Sequence, residues 1–297
     1  MNISKTRFIN WTRCPMYFPM DLKYNPTRKA DIDDERERRE ERLAELREGV
    51  KSSDGFDAED EEFDAQPGPE LEALLPYYNK VEEEALKVAK KYFRGTFIAN
   101  SKDVHGQKLF EYELHGHTYR CYVDIYNENE EEINIIEVKA TTNSKYTDAK
   151  AGLFFSDKRG GTKYPLFVKE GNIWRLNALA STKTDYAAKN YEAKKGLLLD
   201  RYSNYGKYPH DLAFQRYVIE HALRKAGDNR PVNFYLAVLN SEYAFDGTRD
   251  ANGNCVYNEI GGQELITFLD MNEITLAYQT FILKEIAMLE SYIAKPN

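Results

Sequence analysis

The sequence predicts an α/β fold, a mixed β-sheet core flanked by helices, in a region that begins near residue 71. Two patterns predict it. Strand-like runs over 108–114, 118–126, 133–140, 232–239 and 264–269 interleave with helical periodicity over 79–93, 211–226 and 272–294. The polar run 127–132 then separates two of the strand-like runs by a length that suits an antiparallel hairpin.

Taken in order, Ile3 to Tyr24 mixes aromatic and basic residues and reads as an ordered, partly buried segment. Residues 31–48 alternate acid and base at helical spacing, as a solvated helix would. Residues 51–70 are acidic with Gly and Pro and read as a mobile loop or linker. The expected organisation is therefore an N-terminal segment (1–30) packing on the core, an acidic insert (31–70) and a domain over 71–297. In the helix over 79–93, Val81, Ala85, Val88 and Tyr92 form one stripe. Gly227 stops the helix over 211–226. Residues 141–208, rich in Lys, Gly and Tyr, receive no assignment.

With 42% apolar and 13% aromatic residues in 297, wholesale disorder is excluded. No apolar run reaches 18 residues, and the start of the chain lacks the apolar core of a signal peptide. Cys14, Cys121 and Cys255 are too few and too scattered for a disulfide framework, so a reducing cytoplasm is expected. The net charge of −8 is unevenly placed. Residues 1–30 hold six basic and one acidic residue; residues 31–84 hold seven and twenty-one; the rest hold twenty-eight and twenty-seven. Outside 31–84 the chain is net positive, so the overall charge does not exclude a nucleic-acid partner.

The strongest chemical signal is Tyr122-Val123-Asp124-Ile125-Tyr126 followed by Ile135-Ile136-Glu137-Val138-Lys139. Residues i and i+2 of a strand share a face, so Glu137 and Lys139 project together, and a hairpin brings Asp124 beside them. Charges on an apolar strand need pairing or a metal. Asp124 and Glu137 supply hard oxygens suited to Mg²⁺, with the Val138 carbonyl as a further donor. Lys139 would position and deprotonate a water, or stabilise charge on a phosphate oxygen; the set suits metal-assisted phosphodiester hydrolysis. A surface ion pair at a strand end is the plainer alternative.

In a second signal, Asp211 and Gln215 share a face at the start of an otherwise apolar helix, where anions also bind favourably. An acidic residue answering the helix dipole explains Asp211 equally. His115-Gly116-His117 lacks a nearby third zinc ligand and reads as a turn entering a strand.

Asp…Glu-x-Lys on a hairpin resembles the PD-(D/E)XK nuclease motif, and more closely its RecB-like branch. The chain also resembles a bacterial family of predicted nucleases in four motifs taken in order. These are Ser4-Lys5-Thr6-Arg7-Phe8 with Cys14-Pro15, the Asp124/Glu137/Lys139 core, the stretch Asp211 to Tyr217, and Leu239-Asn240-Ser241-Glu242-Tyr243. The resemblance implies a restriction-endonuclease-like fold, Mg²⁺ or Mn²⁺, and DNA as substrate, in repair, recombination or defence against foreign DNA. RNA stays open as a substrate. It implies that Asp124 and Glu137 hold metal, that Lys139 is the catalytic lysine and that Gln215 supports the site, with Asp211 and Tyr217 beside it. An earlier helix often adds an acid, and Glu84, nearest the apolar stripe, is the candidate.

The chain departs from the pattern in three places. Ile219 stands where the helix usually carries tyrosine, and the stretch between Lys139 and Asp211 is long. That stretch includes Lys158, Arg159 and Lys163, a basic loop suited to phosphate. A cluster held by four cysteines is not expected from three, which leaves Cys14 as a buried packing residue. Two other readings remain: a catalytically inactive nuclease-fold module that binds nucleic acid or assembles, and a protein whose acidic segment 31–70 engages a protein partner.

Overall fold

A parallel pairing ties the first residues of the chain to its middle. Strand β1 (Asn2–Ser4) runs alongside β4 (His117–Val123), which pairs antiparallel with β3 (Lys108–Leu114). His115 and Gly116 join β3 to β4 with φ of 49° and 78°, the two left-handed positions of a tight hairpin turn. The computed structural model describes residues 1–24, 75–99, 107–148, 152–177 and 184–294. The acidic segment 31–70 lies outside the described residues.

Helix α1 (Lys5–Arg13) follows β1 directly. The Ser4 hydroxyl caps it, accepting the Arg7 N–H at 3.2 Å. Phe8 and Trp11 bury on its inner face. Cys14 ends the helix and is exposed, which corrects its expected role in packing: its N–H caps the Asn10 carbonyl while its thiol faces outward. Helix α2 (Tyr17–Tyr24) closes the segment.

The larger sheet has seven strands. Across it run β2 (Thr96–Ala99), β5 (Ile125–Glu128), β6 (Ile133–Thr142), β11 (Val232–Leu239), β12 (Ile266–Asp270), β10 (Ile173–Leu176) and β9 (Phe167–Glu170). β6 is antiparallel to β5 and parallel to β11, so the sheet is mixed. A hairpin of β7 (Phe154–Ser156) and β8 (Lys163–Pro165) stands apart. These strands, with helices α4 (Ser144–Thr147) and α5 (Asp185–Gly196), lie within the stretch 141–208 that sequence patterning left open.

Alternation along β6 assigns the two faces of the sheet. Ile136 and Val138 bury in one cluster with Ala85, Val88, Ala89 and Phe93 of and just after α3 (Leu75–Tyr92). Ile133 and Ile135 bury in the opposite cluster with Leu212, Phe214 and Val218 of α6 (Lys207–Lys225). Phe93 closes the α3 stripe instead of Tyr92, which is exposed. Glu137 and Lys139 continue the Ile133/Ile135 face and so point to the α6 side.

Helix α6 begins at Lys207, one turn before the expected start, because Pro209 falls in the first turn, where helix N–H groups have no intrahelical partner. Gly227, with φ of 83°, ends it: the Asp228 N–H reaches the Leu223 carbonyl at 2.9 Å. The expected terminal helix is two, α7 (Asn272–Ala277) and α8 (Gln279–Ile293), meeting at Tyr278. The buried Tyr278 ring sends its hydroxyl to the Gly206 carbonyl.

One expected strand is divided. Residues 118–126 read as continuous, but β4 ends at Val123 in the smaller sheet and β5 starts at Ile125 in the larger one. Asp124 is the bend between them. The divided strand places an acid where the two sheets part.

Candidate functional site

The pairing of β5 with β6 ends at Ile125 opposite Ile136. Beyond that point β6 loses its neighbour on that side, and the Val138 N–H needs another acceptor. The Asp124 side chain supplies it: Oδ2 accepts the Val138 N–H at 2.9 Å, and Oδ1 accepts from Gln107 Nε2 at 3.0 Å. The bend thus fixes the Asp124 carboxylate against the strand that bears Glu137 and Lys139.

Glu137 is 2% exposed and Lys139 1% exposed. On the β11 side they face Leu236 and Val238, which cannot satisfy a charge. Both sides of the Glu137 carboxylate are instead met by polar partners. Oε1 lies 2.7 Å from Lys5 Nζ and 3.0 Å from Lys139 Nζ, and Oε2 accepts from Gln215 Nε2 at 2.6 Å. Such compensation is what permits a carboxylate at this depth. Gln215 is fully buried, and among the described residues its Oε1 has no hydrogen-bond partner. A polar oxygen beside the carboxylate is therefore left without a proton donor.

The two acids are in opposite electrostatic states. Burial pushes the Asp124 carboxyl well above the ordinary carboxylate range, and the negative charges of Glu137 and Glu82 push it further; Lys5 and Lys139 only partly oppose them. Burial would raise Glu137 as well, but the Lys5 and Lys139 ammonium groups and the hydrogen bonds from Lys5 and Gln215 outweigh it. They hold Glu137 well below its usual range.

The acid of α3 that acts on Asp124 is Glu82, which is buried. Glu84, the expected acid, is also buried but accepts from Lys87 at 2.6 Å, and no contact joins it to Asp124 or Glu137. Two residues apart on a helix means about 200° around it, so the two acids leave on opposite sides. Asp211 is buried one turn before Gln215. Its charge adds to the burial that raises the Tyr146 and Tyr278 hydroxyls. Tyr217 packs away from the cluster, edge-on to Tyr112 and 4.3 Å from the His221 ring. Lys158, Arg159 and Lys163 are exposed on the β7–β8 hairpin.

Sequence reasoning did not single out Lys5, Gln107 or Glu82. Lys5 lay inside the Ser4 to Phe8 motif, but nothing local in that motif shows that β1 carries it to β6.

The donor set suits a hard divalent cation. Asp124, Glu137 and the Val138 carbonyl offer oxygen atoms, and Gln215 Oε1 is an oxygen already buried and orphaned nearby. Among the described residues no group of three or more His, Cys, Asp or Glu side chains is placed to hold a metal. Mg²⁺ and Mn²⁺ retain waters and use few protein carboxylates, so oxygen donors of this kind are of the type they take. Among the described residues, no helix is long and apolar enough to cross a membrane.

No protein-family model, no curated protein and no solved structure matches the chain.

Proposed function

We propose that the protein is a metal-dependent nuclease of the PD-(D/E)XK type with a restriction-endonuclease-like core, hydrolysing DNA phosphodiester bonds. The observation that carries this reading is the meeting of Lys139 and Gln215 at the Glu137 carboxylate, with the Asp124 carboxylate held against the same strand by the Val138 N–H.

Asp124, Glu137 and the Val138 carbonyl would hold Mg²⁺ or Mn²⁺, which when bound supplies Lewis-acid charge and a water of lowered pKa. The chain's own residues do the rest. Gln215 fixes the Glu137 carboxylate by donating to Oε2, leaving the opposite oxygen directed at Lys5 and Lys139. Lys139, buried and ion-paired, offers a fixed ammonium to a phosphate oxygen as negative charge develops. Preorganised charge of this kind needs no rearrangement during the reaction. Lys158, Arg159 and Lys163, on an exposed hairpin, are proposed to contact backbone phosphates farther from the scissile bond.

Lys5 favours a second reading. Its ammonium takes the same Glu137 oxygen as Lys139, so cation already satisfies that oxygen. A nuclease fold stabilised in this way would bind nucleic acid without cutting it.

Mn²⁺ binding followed by electron paramagnetic resonance, beside product analysis on single- and double-stranded DNA and on RNA, separates the two. The nuclease binds Mn²⁺, loses it in Asp124→Asn/Glu137→Gln, and forms products in Mg²⁺ but not in EDTA. Nucleic-acid binding with neither Mn²⁺ binding nor products supports the non-catalytic module.

A further inference from the structure

Two ammonium groups meet one carboxylate oxygen at the candidate site. Glu137 Oε1 lies 2.7 Å from Lys5 Nζ and 3.0 Å from Lys139 Nζ, and Gln215 Nε2 donates to Oε2 at 2.6 Å. A carboxylate offers about four lone-pair positions, so most of them are in use. The two lysines are held differently. Lys139 projects from β6, inside the seven-stranded sheet, and its side chain is 2% exposed. Lys5 is the first residue of α1, directly after the three-residue β1, and its side chain is 13% exposed. A flexible four-carbon stem at that margin can carry its ammonium outward by changing rotamers, whereas Lys139 is enclosed.

Lys5 also acts on both acids of the site. Of the two ammonium groups, it has the larger effect on the Asp124 carboxyl and on the Glu137 carboxyl. An ammonium that serves two carboxylates at once does what a shared divalent cation does, with half the charge. The two cations compete for the same oxygen. An Mg²⁺–oxygen contact of about 2.1 Å is shorter than the 2.7 Å of the ammonium already there, so both on Glu137 Oε1 would crowd and repel one another.

We propose that Lys5 is a displaceable internal counter-ion: it holds the Glu137 carboxylate until a divalent cation binds, and the cation moves the Lys5 ammonium outward as it takes Glu137. This rests on the nuclease reading for the identity of the cation, and it adds a regulation of that site. Metal occupancy is coupled to the first turn of α1 and, through the pairing of β1 with β4, to the smaller sheet. The coupling is reciprocal, so whatever fixes Lys5 on Glu137 weakens the metal, and the metal weakens the hold on Lys5.

Two measurements on the full-length protein test this, both without nucleic acid. The first is the Mn²⁺ dissociation constant, by electron paramagnetic resonance, of wild type, Lys5→Met and the control Lys225→Met, whose lysine is exposed at the end of α6. If Lys5 keeps the site in its paired form about nine-tenths of the time or more, its removal tightens Mn²⁺ binding about tenfold or more. The control should stay within twofold of wild type. The second measurement uses unaltered wild type and so does not depend on how Lys5→Met folds. Acetylation of Lys5, followed by peptide mass spectrometry, should speed up severalfold in saturating Mn²⁺ relative to EDTA, while acetylation of Lys225 stays the same. Mn²⁺ affinity that Lys5→Met leaves unchanged or weakens, Lys5 acetylation that Mn²⁺ does not raise, or no Mn²⁺ binding by either protein overturns the counter-ion. If Lys5→Met does not fold, the acetylation rates decide. Product formation in Mg²⁺ is read separately. Wild-type cleavage with equal Mn²⁺ affinity in Lys5→Met removes the counter-ion and keeps the nuclease. Tighter Mn²⁺ binding and faster acetylation without products keep the counter-ion and remove the nuclease.

Discussion

The Lys5 ammonium lies 2.7 Å from the Glu137 carboxylate, across 132 positions of sequence. The parallel pairing of β1 with β4 makes this contact, so the first turn of α1 is a wall of the candidate site. Removing either partner leaves the other buried or nearly so. A double-mutant cycle between Lys5→Met and Glu137→Gln, read by urea unfolding at pH 7, should give a coupling energy of about 2–3 kcal/mol, within the range for charges in contact. Coupling below about 0.5 kcal/mol would mean that solvent, not Lys5, answers the carboxylate.

Gln215 reports on the same carboxylate from the helix side. Gln215→Leu keeps the volume but removes the Gln215 Nε2 donor to Glu137 Oε2, a hydrogen bond to a charged group worth about 1.5–3 kcal/mol. A stability loss of that size is expected in urea unfolding. Activity should fall further than stability alone accounts for, because the carboxylate loses its fixed orientation. A Gln215→Leu protein with unchanged stability would show that the 2.6 Å contact is not maintained in solution.

Asp124 should behave in the opposite way. Its hydrogen bond from Val138 stabilises the fold, but its charge is partly desolvated and repelled by Glu137 and Glu82. These contributions are of opposite sign. Asp124→Ala is therefore expected to shift the thermal midpoint by no more than a few degrees while reducing cleavage on the order of 10³-fold or more. A large loss of stability would make Asp124 chiefly a structural residue that closes the sheet bend.

Away from the site, Arg230 bridges Glu128 at 2.8 Å and Asp228 at 2.6 Å. Hydrogen bonds from Arg230 hold both carboxyls below their ordinary values of 4.5 and 3.8. A depressed carboxyl stabilises the folded chain above its unfolded value, and that contribution is lost as pH falls through the folded one. Arg230→Gln should therefore be less stable than wild type at pH 7, with the gap closing as pH falls below about 4. Urea midpoints at pH 7 and pH 3 check this. A gap that is equal at both pH values would show that Arg230 acts through packing alone.

Much of the fold is legible in the sequence where burial is one-sided. The run Ile133 to Lys139 alternates between two packed layers, so its strand and the shared face of Glu137 and Lys139 follow from periodicity alone. The bend at Asp124 does not, because Thr118 to Tyr126 continues an apolar pattern through a residue where the chain changes sheets. Which acid of α3 approaches the site depends on the helix's rotational setting against the sheet. A triple-Glu run leaves that undecided: the charge of Glu82 acts on Asp124, whereas Glu84 pairs with Lys87 one turn along the same helix. Lys5 was hidden for the same reason: only a strand pairing more than a hundred residues away gives it a carboxylate.

The most direct test of the central claim is single-turnover cleavage of labelled DNA in Mg²⁺, measured for wild type and Lys139→Ala under conditions where both are folded. Cleavage by the wild type that disappears in EDTA and falls on the order of 10²–10³-fold in Lys139→Ala is the predicted result, the scale seen when one preorganised charge-stabilising group is removed. Equal cleavage by the two proteins, or none by the wild type on any strand form, would contradict it.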